Sequence, residues 1–184
     1  MVSLPSNLVP GTYYLGVVAD YNGQIAESNE TNNASTAVPI TLGNDQSNKL
    51  TGTLGNDTIL GRGGNDTLKG GAGADVLTGG PGADRFVFTA ASDSNPGSPD
   101  VIMDFVHRVD LIDLSAIDAA TYRRGNQAFD FGGHDSNVET KGVTWFESGG
   151  NTIVHADING DTTADFLLVL TGINLHLTAS DFVL

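Results

Sequence analysis

A nine-residue pattern of polar turns and single apolar residues dominates the middle of the chain. Residues 52–87 divide into four nonamers, GTLGNDTIL, GRGGNDTLK, GGAGADVLT and GGPGADRFV. Each nonamer has glycine at positions one and four, aspartate at position six and a large apolar residue at position eight. A period this short predicts a solenoid of tight coils, in which six residues form a glycine-rich turn and three form a strand. The middle side chain of each strand points inward.

Stacking of the coils predicts a metal requirement. Two nonamers complete one coil, so Asp57 lies over Asp75 and Asp66 lies over Asp84, at the strand spacing of about 4.8 Å. Two carboxylates so close repel by roughly 1 kcal/mol in water, and by several at a lower effective dielectric. A hard divalent cation with oxygen ligands reverses that sign, and Ca²⁺ accepts carboxylates together with turn carbonyls. We therefore expect the segment to be largely unfolded without cation, with metal binding and folding as one event.

The repeat weakens at both of its ends. A degraded copy, GNDQSNKLT, occupies residues 43–51 and has Asn48 where the pattern has aspartate. This substitution puts the cation site between that copy and the nonamer of Asp66 in question. At the other end, Asp93 falls nine residues after Asp84 and is predicted to continue the series.

The remainder of the chain shows strand patterning without a repeat. Candidate strands cover residues 100–105, 110–115, 142–148, 151–158 and 164–173. The last of these is apolar on both faces, which predicts a central strand. Only residues 113–122 could form a helical turn or two. We expect an antiparallel β-sandwich that packs on the last coil and protects its open edge.

The N-terminal part differs in kind from the repeat. In residues 11–42, alternating apolar positions are followed by the polar stretch ESNETNN and another short strand, which predicts a β-hairpin. The pattern as a whole predicts an all-β protein in three parts. These are the hairpin within residues 1–42, a parallel β-roll over 43–93, and an antiparallel β-sandwich cap over 94–184.

Composition and charge narrow the classes of partner. The net charge is −14 with only 8 Lys and Arg, which argues against nucleic acid as a partner. Of the 22 acidic residues 18 are Asp, the residue that favours turns and oxygen-ligand metal sites. No apolar run approaches the roughly 18 residues of a membrane span. The first residues lack the pattern of a secretory signal, so export requires another route.

The nonamers match G-G-x-G-x-D-x-U-x and so resemble the RTX (repeats-in-toxin) calcium-binding β-roll. The resemblance implies several Ca²⁺ ions held by aspartate carboxylates and turn carbonyls. The candidate carboxylate ligands are Asp57, Asp66, Asp75, Asp84, Asp93 and Asp100. The candidate turn positions are Gly52, Leu54, Gly61, Gly63, Gly70, Ala72, Gly79 and Pro81.

The order of motifs after the repeat resembles the C-terminal region of serralysin-type metalloproteases. The motifs are ADRFVF, SDS, DVIMDF, DLIDLS, DINGDTTADF and the terminal SDFVL, and the likeness covers roughly residues 43–184. It implies a non-catalytic region of a secreted protein of Gram-negative type, which folds on extracellular calcium after export by type I secretion machinery. The terminal Asp181, Phe182, Val183 and Leu184 look like the export signal. Residues 11–33 resemble the end of CARDB, an immunoglobulin-like domain, in truncated form.

Catalytic motifs are absent from the sequence. The four histidines are scattered, and there is no H-E-x-x-H, G-x-S-x-G or phosphate loop, so we expect no enzymatic activity. Alternative functions are a calcium-dependent adhesion or polysaccharide-binding module, with an anionic polysaccharide as partner, or a C-terminal fragment of a serralysin-like protease or an alginate epimerase.

Two further groups of acidic residues have more than one interpretation. The acidic loop at Asp157–Asp165 predicts either a polar hairpin turn or a weak metal site. Asp100 and Asp104 could join Asp93 in a further cation site or could cap strand ends. The Arg123-Arg124 pair is interpreted as solvated surface.

Overall fold

The computed structural model of the protein describes residues 8–15 and 38–184. Within them, the regular elements are β-strands apart from two 3-10 turns, Ala91–Ser94 and Ala179–Asp181. Two sheets, one of nine strands and one of five, share a single hydrophobic core. The predicted all-β fold class is confirmed.

Eight strands form the β-roll and alternate between its two sheets. The first sheet begins with the antiparallel pair β1 (Gly11–Leu15) and β2 (Val38–Leu42). The roll continues through β3 (Lys49–Thr51), β4 (Thr58–Leu60), β5 (Thr67–Lys69), β6 (Val76–Thr78), β7 (Arg85–Val87), β8 (Asp100–Ile102) and β9 (Leu111–Asp113). Strands β2, β4, β6 and β8 pair in parallel in the first sheet, and β3, β5, β7 and β9 do so in the second. Each coil therefore contributes one strand to each sheet.

The apolar residue of each nonamer is the central residue of its strand, as the period predicts. Ile59, Leu68, Leu77 and Phe86 are fully buried, and Leu50 in the degraded copy is 8% exposed. Because their strands are in register, these side chains stack in two rows that fill the interior of the roll.

The roll extends past both ends of the predicted 43–93 segment. Ile40 pairs with Thr58, so β2 forms the first rung of the roll as well as half of the hairpin. Strands β8 and β9 add a fourth coil, in which Ile102 continues the row of Leu77 and Ile112 continues the row of Phe86. Both later strands keep the Asp-x-apolar order of the repeat and lack only its glycines.

The remaining strands cover the edges of the last coil. They are β10 (Asp130–His134), β11 (Gly142–Ser148), β12 (Asn151–Ala156), β13 (Phe166–Thr171) and β14 (Phe182–Val183). Strands β11, β12 and β13 are antiparallel as expected, but they continue the first sheet because β13 pairs with the free edge of β8. Strand β14 pairs with β9 in the second sheet. The expected protection of the open edges is confirmed.

One core runs from the roll into the C-terminal strands. Phe88, just past β7, stacks edge-on against Phe166 of β13 with ring centroids 5.1 Å apart. Strand β13 lies between β8 and β12, so the predicted central strand is confirmed. Residues 113–122 form turns instead of the expected helical segment, and they bury Ile117 and Ala119 against the core.

Candidate metal centre

Two rows of acidic residues run along the roll where the turns enter the strands. In each row the backbone N–H of one residue donates to Oδ1 of the aspartate one coil further on. The first row is Asp57, Asp75 and Asp100, with N–H to Oδ1 distances of 2.8 and 2.8 Å. The second row is Asn48, Asp66, Asp84 and Asp110, with distances of 2.7, 2.8 and 2.9 Å. The predicted stacking of the repeat aspartates is confirmed.

The other carboxylate oxygen of five row aspartates has no partner. These buried oxygens are Asp57 Oδ1, Asp66 Oδ2, Asp75 Oδ2, Asp84 Oδ2 and Asp100 Oδ2. The five residues are at most 2% exposed, so water does not solvate the charge. An uncompensated buried charge costs several kcal/mol, which a bound cation would offset.

The first glycine of each nonamer makes room for these oxygens. A Cβ on Gly70 would collide with Asp75 Oδ2. A Cβ on Gly52 would lie 2.8 Å from Asp57 Oδ2 and would also collide with the backbone oxygen of Gly70 in the next coil. Each glycine therefore leaves a cradle bordered by a carboxylate oxygen and a carbonyl oxygen.

The donor set of these cradles suits a hard cation. Within residues 8–15 and 38–184, no three His, Cys, Asp or Glu side chains converge on one metal position. A cradle instead combines carboxylate oxygens from successive coils with backbone carbonyl oxygens. Ca²⁺ takes such all-oxygen ligand sets with flexible geometry, so the residues present fit calcium.

Burial raises the pKa of the row aspartates, because desolvation disfavours their charged form. The pKa of Asp75 and that of Asp84 each rise to about 6, and the pKa of Asp100 rises to about 8. Burial also raises the pKa of Asp66 and of Asp110. Repulsion from neighbouring carboxylates adds to each of the three larger shifts. The metal-free rows therefore carry their charges at a cost in free energy.

Protein groups satisfy the side chain of Asn48 at the start of the second row. Its amide nitrogen donates to Asn44 Oδ1 over 3.1 Å, and its oxygen accepts from Asn44 N over 2.7 Å. The neutral amide thus makes the contacts that a cation would otherwise make. This geometry agrees with the expectation that a cation site here is compromised.

The nine-residue register ends at Phe86, and Asp93 does not occupy the next rung of its row. The position one coil beyond Asp75 is Asp100, 25 residues later in the sequence. The 3-10 turn Ala91–Ser94 accounts for the offset. Asp93 Oδ2 accepts from the backbone N–H and hydroxyl of Thr89, at 2.8 and 2.9 Å. The extrapolated register of Asp93 is therefore wrong, although its charge lies close enough to raise the pKa of Asp75 and Asp100.

Sequence reasoning missed Asp110, which closes the second row. Its Oδ1 accepts from Asp84 N and its Oδ2 from Val106 N, so both oxygens are satisfied. Asp104 caps the neighbouring turn by accepting from Gly79 N and Gly80 N, as the capping interpretation predicts. The signal for Asp110 was the Asp-x-apolar order of residues 110–112, without the glycines that mark the repeats.

The remaining predicted ligand positions lie in the turns between strands. Leu54 has a side chain that is 87% exposed, which leaves its backbone as the relevant group. Pro81 O accepts a hydrogen bond from Gly64 N at 3.1 Å, and a carbonyl oxygen retains a second lone pair. The carbonyl ligands at Leu54, Gly63, Ala72 and Pro81 stay predictions.

The acidic loop after β12 is organised by backbone donors. Asp157 Oδ1 accepts from Asn159 N and Gly160 N, and its Oδ2 accepts from Thr162 N, all within 2.9 Å. Asp157 is fully buried, so these bonds use the oxygens that a metal would need. The geometry favours the polar hairpin turn over the weak metal site.

The terminal residues fold against the end of the roll. Asp181 is fully buried and lies 2.9 Å from His107 Nδ1, and its oxygens also accept from Arg108 N and Thr178 N. Burial opposes ionisation, but these contacts hold the pKa of Asp181 below its usual value. Phe182 and Val183 form β14 beside β9. The predicted export signal is therefore a strand in the folded protein.

Family comparison assigns most of the chain. The profile described as Peptidase M10 serralysin C terminal matches residues 29–184, and the CARDB profile matches residues 1–37. The chain belongs to the serralysin C-terminal family. This family comprises RTX-type calcium-binding regions of secreted proteins. The CARDB match falls largely on residues outside those that the structure describes.

Curated relatives agree with this assignment. Metalloprotease AprA of Pseudomonas entomophila is 39% identical over 90 residues, which are 47% of this chain and 18% of that protein. Serralysin C of Dickeya chrysanthemi is 34% identical over 87 residues, 47% of this chain and 17% of that protein. The chain thus matches less than a fifth of the length of these relatives.

Solved structures with similarity include two repeat modules of an Azotobacter vinelandii mannuronan C5-epimerase. The AlgE6R3 subunit has a TM-score of 0.44 at 31% identity and covers 77% of this chain and 80% of its own. The AlgE6R2 subunit has a TM-score of 0.47 at 27% identity, with coverages of 77% and 90%. Separately, the described residues include no helix with the length and apolar character needed to cross a bilayer.

Proposed function

We propose that the chain is a calcium-dependent folding module of a secreted protein and that several Ca²⁺ ions bind along its roll. The observation that carries the proposal is the set of five buried aspartate oxygens without a partner, arranged in two rows. Asp57, Asp66, Asp75, Asp84 and Asp100 would supply the carboxylates. The turn carbonyls would complete each site.

Calcium decides the balance of free energy in the roll. Its interior contributes mainly one apolar side chain per nonamer, while each ordered residue costs roughly 1–2 kcal/mol of backbone entropy. Without cation, burial of the unpaired carboxylates adds to that cost. Bound Ca²⁺ replaces the mutual repulsion with attraction, so that folding follows the free calcium concentration. The chain would remain unfolded at low calcium and fold at the higher calcium level outside the cell.

The module is proposed to be non-catalytic. Its histidines make structural contacts: His107 pairs with Asp181, and His134 lies against Trp145 with ring centroids 4.5 Å apart. The family match, moreover, is to the region that follows the protease domain in name and position. Any enzymatic activity would therefore come from a separate catalytic segment.

Export is proposed to use type I secretion machinery of a Gram-negative cell, with the signal in Asp181–Leu184. An unfolded, calcium-free chain would present these residues, whereas folding would place them in β14. The test is secretion of the full chain from cells that carry such an exporter. Replacing Asp181 and Phe182 by alanine should abolish export, and Arg123→Ala with Arg124→Ala should not. Normal export of the first variant would refute the signal assignment.

A second candidate function is binding of an anionic polysaccharide. The observation that favours it is a cluster of three cations, Lys49, Lys69 and Arg85, on the outer face of the second sheet. Calcium-dependent folding and polysaccharide binding are compatible, because they use opposite faces of the same strands.

Titration of the metal-free protein with Ca²⁺ tests the main proposal. Calorimetry should report several bound ions, and far-UV circular dichroism should report a coincident gain of β signal. Mg²⁺ serves as the control, because its strict octahedral geometry at shorter distances suits these cradles poorly. Equal β signal in chelator and in Ca²⁺ would refute the proposal.

A further inference from the structure

The outer face of the second sheet carries an unusual local charge. Lys49, Lys69 and Arg85 lie there, three of only eight Lys and Arg in a chain with 22 acidic residues. They line a shallow depression of about 500 Å³, which we call the basic groove. Its other lining residues are Leu50, Thr51, Thr67, Val87, Thr89 and Asp113.

Strand register places the three cations along the roll axis. Lys49 and Arg85 are both aligned with Thr67, on either side of it, so they lie two strands apart, or about 10 Å. Lys69 lies on the strand between them, two residues further along. The cations thus form a zigzag that crosses β3, β5 and β7. A linear ligand that meets all three must run across the strands.

The basic groove keeps its positive charge. Its one acidic residue, Asp113, accepts from Arg85 Nε at 2.9 Å and Arg85 Nη2 at 2.8 Å. The second oxygen of Asp113 is occupied by the N–H and hydroxyl of Ser115. Asp113 therefore orients the guanidinium, whose side chain remains 42% exposed. Among the described residues, neither Lys49 nor Lys69 forms an ion pair.

We infer that the basic groove binds a linear polysaccharide that bears carboxylates, a polyuronate. The cations complement its carboxylates, and the hydroxyls of Thr51 and Thr67 can bond to sugar hydroxyls. No aromatic side chain lines the groove, so it lacks the stacking platforms of a nucleic-acid site. A net charge of −14 also repels a duplex with one phosphate per about 1.7 Å of axis more strongly than a chain with one charge per sugar.

This inference rests on the proposed function to the extent that the basic groove exists only in the folded roll. Bound calcium also assists binding indirectly, since each Ca²⁺ offsets two of the protein's negative charges. The ligand site itself contains no row aspartate, because the rows lie in the turns and the groove lies on the sheet face.

The test measures binding of a short oligogalacturonate to the full chain in calcium by calorimetry. Replacing Lys49 and Lys69 by alanine should weaken binding roughly 10- to 100-fold, through loss of two charge-assisted contacts. Arg123→Ala with Arg124→Ala removes the same charge from an exposed site elsewhere and should leave affinity nearly unchanged. A neutral maltooligosaccharide and an oligothymidylate of similar length serve as comparison probes.

Several results would overturn the inference. They are absence of oligogalacturonate binding, equal weakening by the two double variants, or equal affinity for the neutral sugar. Affinity for oligothymidylate that matches or exceeds that for the uronate would assign the basic groove to nucleic acid instead. Circular dichroism of each variant in calcium separates these results from a folding failure. If the chain proves folded in chelator, the calcium proposal fails and the same variants still decide the groove.

Discussion

Replacing Asp75 by asparagine should change stability in opposite directions with and without calcium. Asparagine keeps the oxygen that accepts from Asp57 N, and it replaces the partnerless charged oxygen with a neutral amide. In the metal-free roll this change removes a buried charge. In the calcium-bound roll it removes a ligand. A residue with a purely structural role would be destabilising to lose under both conditions.

The pKa of Asp75 sets the size of the metal-free effect. A rise in pKa from 3.8 to about 6 corresponds to about 3 kcal/mol at a pH near 8, where the group is ionised. This value is an upper bound, because Asp57 and Asp93 share the repulsion and the new amide needs its own partners. In calcium, loss of a direct ligand should weaken apparent affinity by at least about 10-fold, the lower end of the effect of outer-shell changes.

Two folding titrations measure the two directions. In chelator, trimethylamine N-oxide favours compact states, and Asp75→Asn should fold at a lower concentration of it than the parent protein. Without the osmolyte, the same variant should need more Ca²⁺. Asp130→Asn is the matched control, because that exposed residue pairs only with Lys141 and should shift neither midpoint. Destabilisation of Asp75→Asn in both titrations would refute the reasoning.

Three further predictions follow from the same geometry. In chelator, lowering the pH from about 8 towards 4 should increase β signal, because a carboxyl whose folded pKa is raised to about 6 or 8 contributes stability at low pH that is lost as pH rises through that value; in calcium, acid should instead release the ions, and circular dichroism follows both. Gly70→Ala should impair calcium-induced folding because its methyl would collide with Asp75 Oδ2, whereas Gly55→Ala, whose nearest neighbour is 4.0 Å away, should be tolerated, as the Ca²⁺ midpoints will report. Asp181→Ala should destabilise the folded protein by about 1–3 kcal/mol through loss of its hydrogen bonds with His107 and the backbone, as measured by urea unfolding in calcium.

The repeats themselves could be predicted because their signal is local. Glycine at fixed positions, aspartate before each strand and one inward apolar residue define the coil, and the rows of Asp57 with Asp75 and Asp66 with Asp84 follow from the period. The inward residues Ile59 to Phe86 are buried as the pattern requires. Each of these features depends on neighbours within nine residues or on the exact repetition of that unit.

The ends of the roll could not be predicted in the same way. The fourth coil lacks the glycines, and its aspartates follow an insertion, so the nine-residue count selects Asp93 where hydrogen bonding selects Asp100. Asp110 is recognised only by its contact with Asp84 N, 26 residues away. The pairing of β13 with β8 joins segments more than sixty residues apart, and strand patterning predicts each strand but not its neighbour.

The radius of gyration, measured by small-angle X-ray scattering, tests most directly whether a cation holds the aspartate rows together. A compact chain of 184 residues has a radius of gyration of about 16 Å, and an unfolded one about 46 Å. We predict a value near the compact limit in calcium and a large shift towards the unfolded limit after EGTA, reversed when calcium is restored. A compact profile that does not change in EGTA would contradict the account.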